Sequence, residues 1–248
     1  MRIIISPAKK MNHDSDTLGA IGKPVFLERT EAILCWLREQ SPEQLQKLWG
    51  CNDSIARQNV ERIENMELHK NLTPAILSYE GIQYQYMAPA VFEEGMLDYI
   101  QKRLRILSGF YGVLKPMDGV TPYRLEMQAR AGIGGTANLY SFWKDDIYRE
   151  VVDEDRVIIN LASKEYSQCI EKYLQPEDIF ITCIFAEFSG EKLVQKGTYA
   201  KMARGEMVRF MAEKRITETE QIKEFDRLNY SFRQELSSPK EFVFIREK

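Results

Sequence analysis

The sequence predicts a mixed α/β fold, a single domain with a mixed sheet and surrounding helices. Apolar strand-like runs alternate with helical periodicities along the chain, and one hairpin signal makes a purely parallel, doubly wound sheet unfavourable. Two strands also end in the same way. In "RIIISPAKKM" (2–11) and "VIINLASKEYS" (157–167) an apolar strand runs straight into a serine and a lysine.

The elements follow in order. A strand over 2–5 leads into a loop rich in Asn, Asp and Gly. Leu27, Ala32, Leu34 and Leu37 then mark a helix, and Ser41 followed by Pro42 reads as a cap and first-turn proline opening the next. Ile55, Val60, Ile63 and Met66 mark a third. "AILSYEG" (75–81) reads as a strand, and 93–108 reads as a helix with Leu97, Ile100, Leu104 and Leu107 on one face. A helix over 139–152 precedes the strand 157–160 and its own helix. "DIFITCIFAEFSGEKLVQKG" is read as two strands joined at Ser189-Gly190. An amphipathic helix over 199–215 follows, and "EFVFIRE" closes the chain as a strand.

One domain over residues 1–248 is expected, because a chain of this length buries a large core and no linker, repeat or low-complexity tract divides it. The longest apolar stretches, such as "IFITCIF", are too short to span a bilayer, and residues 1–5 lack the apolar region of a secretory signal. The expected location is the cytoplasm, with no membrane partner. Cys35, Cys51, Cys169 and Cys183 form no C-x-x-C pair, and Cys183 lies in an apolar run, so structural thiols are expected. His13 and His69 have no cysteine at ligand spacing. No metal site and no cofactor are expected.

The net charge of −3 argues against a generally basic coat. Its distribution is uneven, however. Residues 102–130 hold six cations against two acids, and so do residues 196–215, leaving the remainder of the chain acidic. If the two segments meet, one basic surface stands on an acidic body; if not, they are solvated helix faces.

In an α/β sheet, ligands bind where loops leave the C-terminal strand ends and helix N-termini present free N–H groups. Ser6 and Lys9, and Ser163 and Lys164, sit at such ends and together describe an anion pocket; the alternative is that the serines are caps and the lysines are solvated. "TPYRLEMQA" (121–129), if extended, places Tyr123, Leu125 and Met127 on one face and Arg124 and Glu126 on the other. On the helix 199–215, Lys201 and Arg204 lie three apart in the first turns. Cations there oppose the helix dipole by a few tenths of a kcal/mol unless an anion compensates. "LRILSGFYGVL" (104–114) suggests a helix ending at Gly109 and a glycine-bounded turn to Gly112. That pattern fits a helix–hairpin–helix-like element whose backbone N–H groups approach phosphate, or a plain glycine C-cap.

The blocks "ISPAKKM", "YEGIQYQYM", "LRILSGFYGVLKPMDGVTPYRLEM", "LYSFWKDDI", "VIINLASKEYS" and "KGTYAKMARGEMVRFMAEKRI" together resemble the YaaA peroxide-stress resistance family, in the same order and over nearly the whole chain. The resemblance implies a bacterial cytosolic protein that protects cells from hydrogen peroxide. It also implies DNA binding through a basic cleft and the element around Gly109 and Gly112. Two functions therefore stand for test. One is weak, sequence-tolerant DNA binding through phosphate contacts. The other is an enzyme acting on a phosphorylated or nucleotide-like small molecule, with Lys9, Arg124, Lys164, Lys201 and Arg204 as anion ligands and Glu126 or Glu165 as acid or base. A groove wide enough for a duplex favours the first, and a closed pocket with convergent polar groups favours the second.

Overall fold

Ile3, Ile4 and Ile5 are all fully buried, which three successive strand residues achieve only when both faces of the strand are covered. The computed structural model describes residues 1–13 and 18–247, so part of the polar loop read after this first strand, at 14–17, lies outside the described residues. The main sheet contains β1 (Arg2–Ile5), β2 (Leu104–Ser108), β3 (Gly112–Leu114), β4 (Val157–Leu161), β5 (Ile179–Ser189), β6 (Lys192–Val194), β7 (Tyr230–Phe232) and β8 (Glu241–Arg246). The spatial order is β7-β8-β5-β4-β1-β2-β3, with β6 paired to the end of β5. Neighbours from β8 to β2 are parallel, whereas β3, β6 and β7 pair antiparallel, so the sheet is mixed.

Helices surround this sheet: α1 (Leu27–Arg38), α2 (Pro42–Trp49), α3 (Asp53–Glu64), α4 (Ala75–Ser78), α5 (Ile82–Met87), α6 (Glu94–Arg103), α7 (Leu139–Trp143), α8 (Asp146–Val151), α9 (Lys164–Glu171) and α10 (Gly197–Lys214). The Ser41-Pro42 signal opens α2 through a capping box. Ser41 accepts from Gln44 N, and the Gln44 side chain accepts from Ser41 N at 2.7 Å.

Three local readings are corrected. The helix drawn over 93–108 ends at Arg103, and Leu104–Ser108 is strand β2. Leu104 and Leu107 continued the helical spacing of Leu97 and Ile100. Every residue of β2 is buried, so no alternation betrayed the strand. Arg105, inside that strand, is buried and donates through Nη1 to the carbonyls of Leu104, Lys102 and Gln101, thereby capping the carbonyl end of α6. The segment 75–81 is mainly the single turn α4, with only Tyr79 and Glu80 extended. The helix 139–152 is α7 and α8, separated where Lys144 takes φ +50°.

The supposed helix–hairpin–helix element is a buried β-hairpin turn between β2 and β3. Phe110 and Tyr111 are fully buried, and their N–H groups donate to Ser108 Oγ at 3.1 and 2.9 Å. The Gly109 carbonyl accepts from Trp143 Nε1 at 3.1 Å. Gly112 has φ +74°, and a Cβ there would meet the rings of Phe26 and Trp143. Gly109 and Gly112 thus serve packing, and their surroundings leave no room for a phosphate.

Burial also sets one titration. Asp118 accepts from Lys115 N at 2.8 Å, but burial pushes its carboxyl up from 3.8 to about 6, with that hydrogen bond and the charges of Lys115 and Arg105 opposing. The folded protein therefore binds this proton more tightly than the unfolded chain. The resulting stability is complete below about pH 4 and is lost as pH rises to about 6, with a slope approaching 1.4 kcal/mol per pH unit. Asp118→Asn keeps an acceptor and removes the titration. Its melting temperature relative to the wild type should climb between about pH 4 and pH 6; a constant difference over that range would refute the assignment.

Candidate functional site

Registry places the two serine-bearing strand ends side by side. β1 and β4 run parallel with Ile5 opposite Leu161, so Ser6 and Ser163 leave the sheet together. Ser163 stands at the N-cap of α9, yet its side chain makes no capping bond. Instead Ser6 Oγ accepts from Ser163 N at 2.8 Å and donates to Ser163 Oγ at 3.2 Å, tying the two strand ends to each other. The serines are therefore a linked pair at the mouth of a crevice. Because β1 has β4 on one side and β2 on the other, the crevice opens where the sheet order reverses, the usual ligand position in such sheets.

Above these ends lies a cavity of about 430 Å³. Ser6 and Lys9 line it from the β1 loop, Ser163, Glu165 and Tyr166 from the start of α9, and Gln83 and Tyr84 from α5. The extended run 121–126 contributes Tyr123, Arg124 and Glu126, and α10 contributes Lys201 and Arg204. In that run Tyr123, Leu125 and Met127 are buried and Arg124 and Glu126 less so, so burial alternates as expected, but Tyr123 and Leu125 line the cavity together with Arg124 and Glu126. Six of the nine residues singled out as anion ligands thus meet in one cavity: Ser6, Lys9, Arg124, Ser163, Lys201 and Arg204.

Lys164 does not. As the first residue of α9 it turns away from the crevice and pairs with Glu171, beside a separate cavity lined by Tyr140 and Trp143. The next two positions, Glu165 and Tyr166, face the crevice instead.

The charges in the cavity are partly matched. Lys9 Nζ lies 3.0 Å from Glu126 Oε1, and Arg124 Nη2 lies 3.5 Å from the same oxygen. Burial raises the Glu165 carboxyl above the ordinary carboxylate value, the Glu126 charge adds to the rise, and Lys9 and the Gln128 N–H (3.3 Å to Oε1) oppose it. On residues that line this cavity, three buried donors have no partner among the described residues: Gln83 Nε2, Arg124 Nε and Arg204 Nε. Gln83 is only 7% exposed, and burial lowers the Arg204 guanidinium pKa. All three are donors, so what they lack is an acceptor.

Gln83 and Tyr84 are cavity-lining residues that the sequence reading missed. α5 begins after Gly81, which has no side chain to cap it, and no periodic apolar stripe marks it. Tyr84 OH donates to the Ser6 carbonyl at 3.0 Å and so fixes the β1 loop. The buried thiols are unsuited to nucleophilic chemistry, since burial pushes Cys169 and Cys183 up to about 12. Among the described residues no three His, Cys, Asp or Glu side chains converge as metal ligands, and no helix is long and apolar enough to cross a membrane.

The family model described as "Peroxide stress protein YaaA" matches residues 1–236. Similar proteins include a UPF0246 protein of Agathobacter rectalis, 61% identical over 247 residues and covering 100% of this chain and 99% of the relative. A UPF0246 protein of Desulfitobacterium hafniense is 55% identical over 246 residues (99% and 98%), and one of Pediococcus pentosaceus is 49% identical over 248 residues (100% and 99%).

Proposed function

Because the chain belongs to the peroxide stress protein YaaA family, we propose that it contributes to peroxide resistance by binding a phosphorylated or nucleotide-like small molecule in the strand-end cavity. The observation that carries this reading is the convergence of Lys9, Arg124, Lys201 and Arg204, drawn from three separate segments of the chain, on one concave site. An anion with several acceptor oxygens can take charge-assisted hydrogen bonds from such a cluster of cations, and bonds of this kind are the strong ones. At about 430 Å³ the cavity falls within the range of small-molecule sites and is far too small for a duplex. Bound anion would also compete with Glu126 for Lys9 and Arg124, so the ion pairs of the empty site are the ones ready to exchange. Glu165, whose carboxyl is raised by burial at the cavity wall, is the candidate general acid or base.

A second reading, sequence-tolerant contact with DNA, is favoured by the exposed cations Lys9, Lys10 and Lys201 along the cavity lining. The two separate in titration calorimetry. Pyrophosphate is expected to bind saturably with one site per chain, and duplex DNA is expected to bind, if at all, with an affinity that falls steeply between about 50 and 200 mM salt. Absence of any pyrophosphate heat, together with salt-sensitive duplex binding, would reverse the order of the two readings.

A further inference from the structure

A second cavity of about 540 Å³ adjoins the first, and Lys9 and Glu126 line both. Lys47 of α2 and Arg130, a few residues after the extended run 121–126, line the second cavity and are exposed. Lys201 and Arg204 of α10 line the first. Among the described residues no carboxylate forms an ion pair with any of these four cations. Where the cavities meet, the charge is matched instead. Lys9 Nζ lies 3.0 Å from Glu126 Oε1, and Arg124 Nη2 lies 3.5 Å from the same oxygen. The two cavities therefore make one crevice with uncompensated positive charge in each half and an ion pair at the junction.

We propose that the second cavity is a second anion subsite, and that the ligand is a sugar bisphosphate whose two phosphates occupy the two cavities. This inference rests on the anion reading of the first cavity and adds the class of ligand. Two cations lining one cavity repel each other, and a phosphate, with its charge and several acceptor oxygens, offsets that repulsion in either half. The junction decides what joins the phosphates. A continuous polyphosphate would set negative charge beside the Glu126 carboxylate. The Lys9 ammonium only donates and the Glu126 carboxylate only accepts, whereas a hydroxyl does both, so a hydroxylated carbon chain can meet each member of the pair without upsetting its charge balance. Each volume lies in the range of small-molecule sites.

Titration calorimetry with four probes tests this: pyrophosphate, fructose 6-phosphate, fructose 1,6-bisphosphate and tripolyphosphate, at about 150 mM salt so that exposed charges beyond a Debye length are screened. The bisphosphate is expected to bind one per chain, to compete with pyrophosphate, and to bind about tenfold or more tightly than the monophosphate, the worth of one added charge-assisted hydrogen bond. Tripolyphosphate should bind less tightly than the bisphosphate despite its greater charge. Lys47→Gln combined with Arg130→Gln changes two exposed positions, so the melting temperature should hold. That double variant should bring the bisphosphate down to the affinity of the monophosphate while pyrophosphate affinity stays constant. Equal or absent affinity for the two sugar phosphates, with pyrophosphate still bound, overturns the second subsite and leaves the anion reading standing. A bisphosphate advantage that survives in the double variant arises in the first cavity alone and also overturns it. Tripolyphosphate binding tighter than the bisphosphate shows a crevice for any polyanion and overturns the sugar. Binding of none of the four overturns both readings.

Discussion

Arg204→Ala is expected to weaken small-anion binding sharply while leaving the protein as stable as the wild type or more so. Arg204 lines the cavity from α10, its Nε has no acceptor among the described residues, and burial already lowers its guanidinium pKa. A buried, incompletely paired charge is a cost to the folded state, so its removal relieves desolvation as well as making a space. In the bound state the same group would supply charge-assisted hydrogen bonds worth about 1.5–3 kcal/mol each, so pyrophosphate affinity should fall by about one to two orders of magnitude. Arg204→Lys should recover little of this, because an ammonium does not reproduce the planar fork. Parallel calorimetry and thermal melting check the result. Unchanged affinity removes Arg204 from the site, and a large fall in melting temperature makes it structural.

Its neighbour should behave in the opposite way. Gly205 is where α10 meets α5, and a Cβ added there would stand 2.1 Å from the Gln83 carbonyl and 3.0 Å from Met87 N. Both contacts are backbone, which cannot move aside as a flexible side chain can. Gly205→Ala must therefore push α5 off α10, at a cost of about 1–3 kcal/mol for overpacking. For a chain of this size each kcal/mol lowers the melting temperature by roughly 2–4 °C. Because α5 carries Gln83 and Tyr84 into the cavity, anion binding should weaken as well. An unchanged melting temperature would mean that α5 shifts without cost, and would sink the account of this contact.

Much of the fold was legible because local patterning specified it. The isoleucines of β1, the apolar run of β4 and the Ser41-Pro42 start of α2 are short-range features, and each appears where its residues place it, whereas the hairpin read at Ser189-Gly190 turns one residue later, with Ser189 paired to Lys192. Where both faces of a segment are buried, local pattern lost its meaning. Leu104 and Leu107 satisfied helical spacing and strand burial equally well, so the site of Gly109 and Gly112 was misread along with them. α5 offered neither cap nor stripe, and Gln83 stayed unseen with it.

The sequence by itself determined which cations exist, that a serine ends each of two strands, and that Arg124 and Glu126 share one side of an extended run. Tertiary structure decided which of them meet. Parallel registry of Ile5 with Leu161 joins residues well over half the chain apart, and no local signal encodes that pairing. The phase of α9 sends Lys164 to Glu171 and Glu165 to the cavity, a difference of one residue that rotates a side chain by roughly 100° about the helix axis. Whether a donor lacks a partner depends on what burial has removed from water around it. The unpartnered N–H groups of Gln83, Arg124 and Arg204 are therefore properties of the packed molecule.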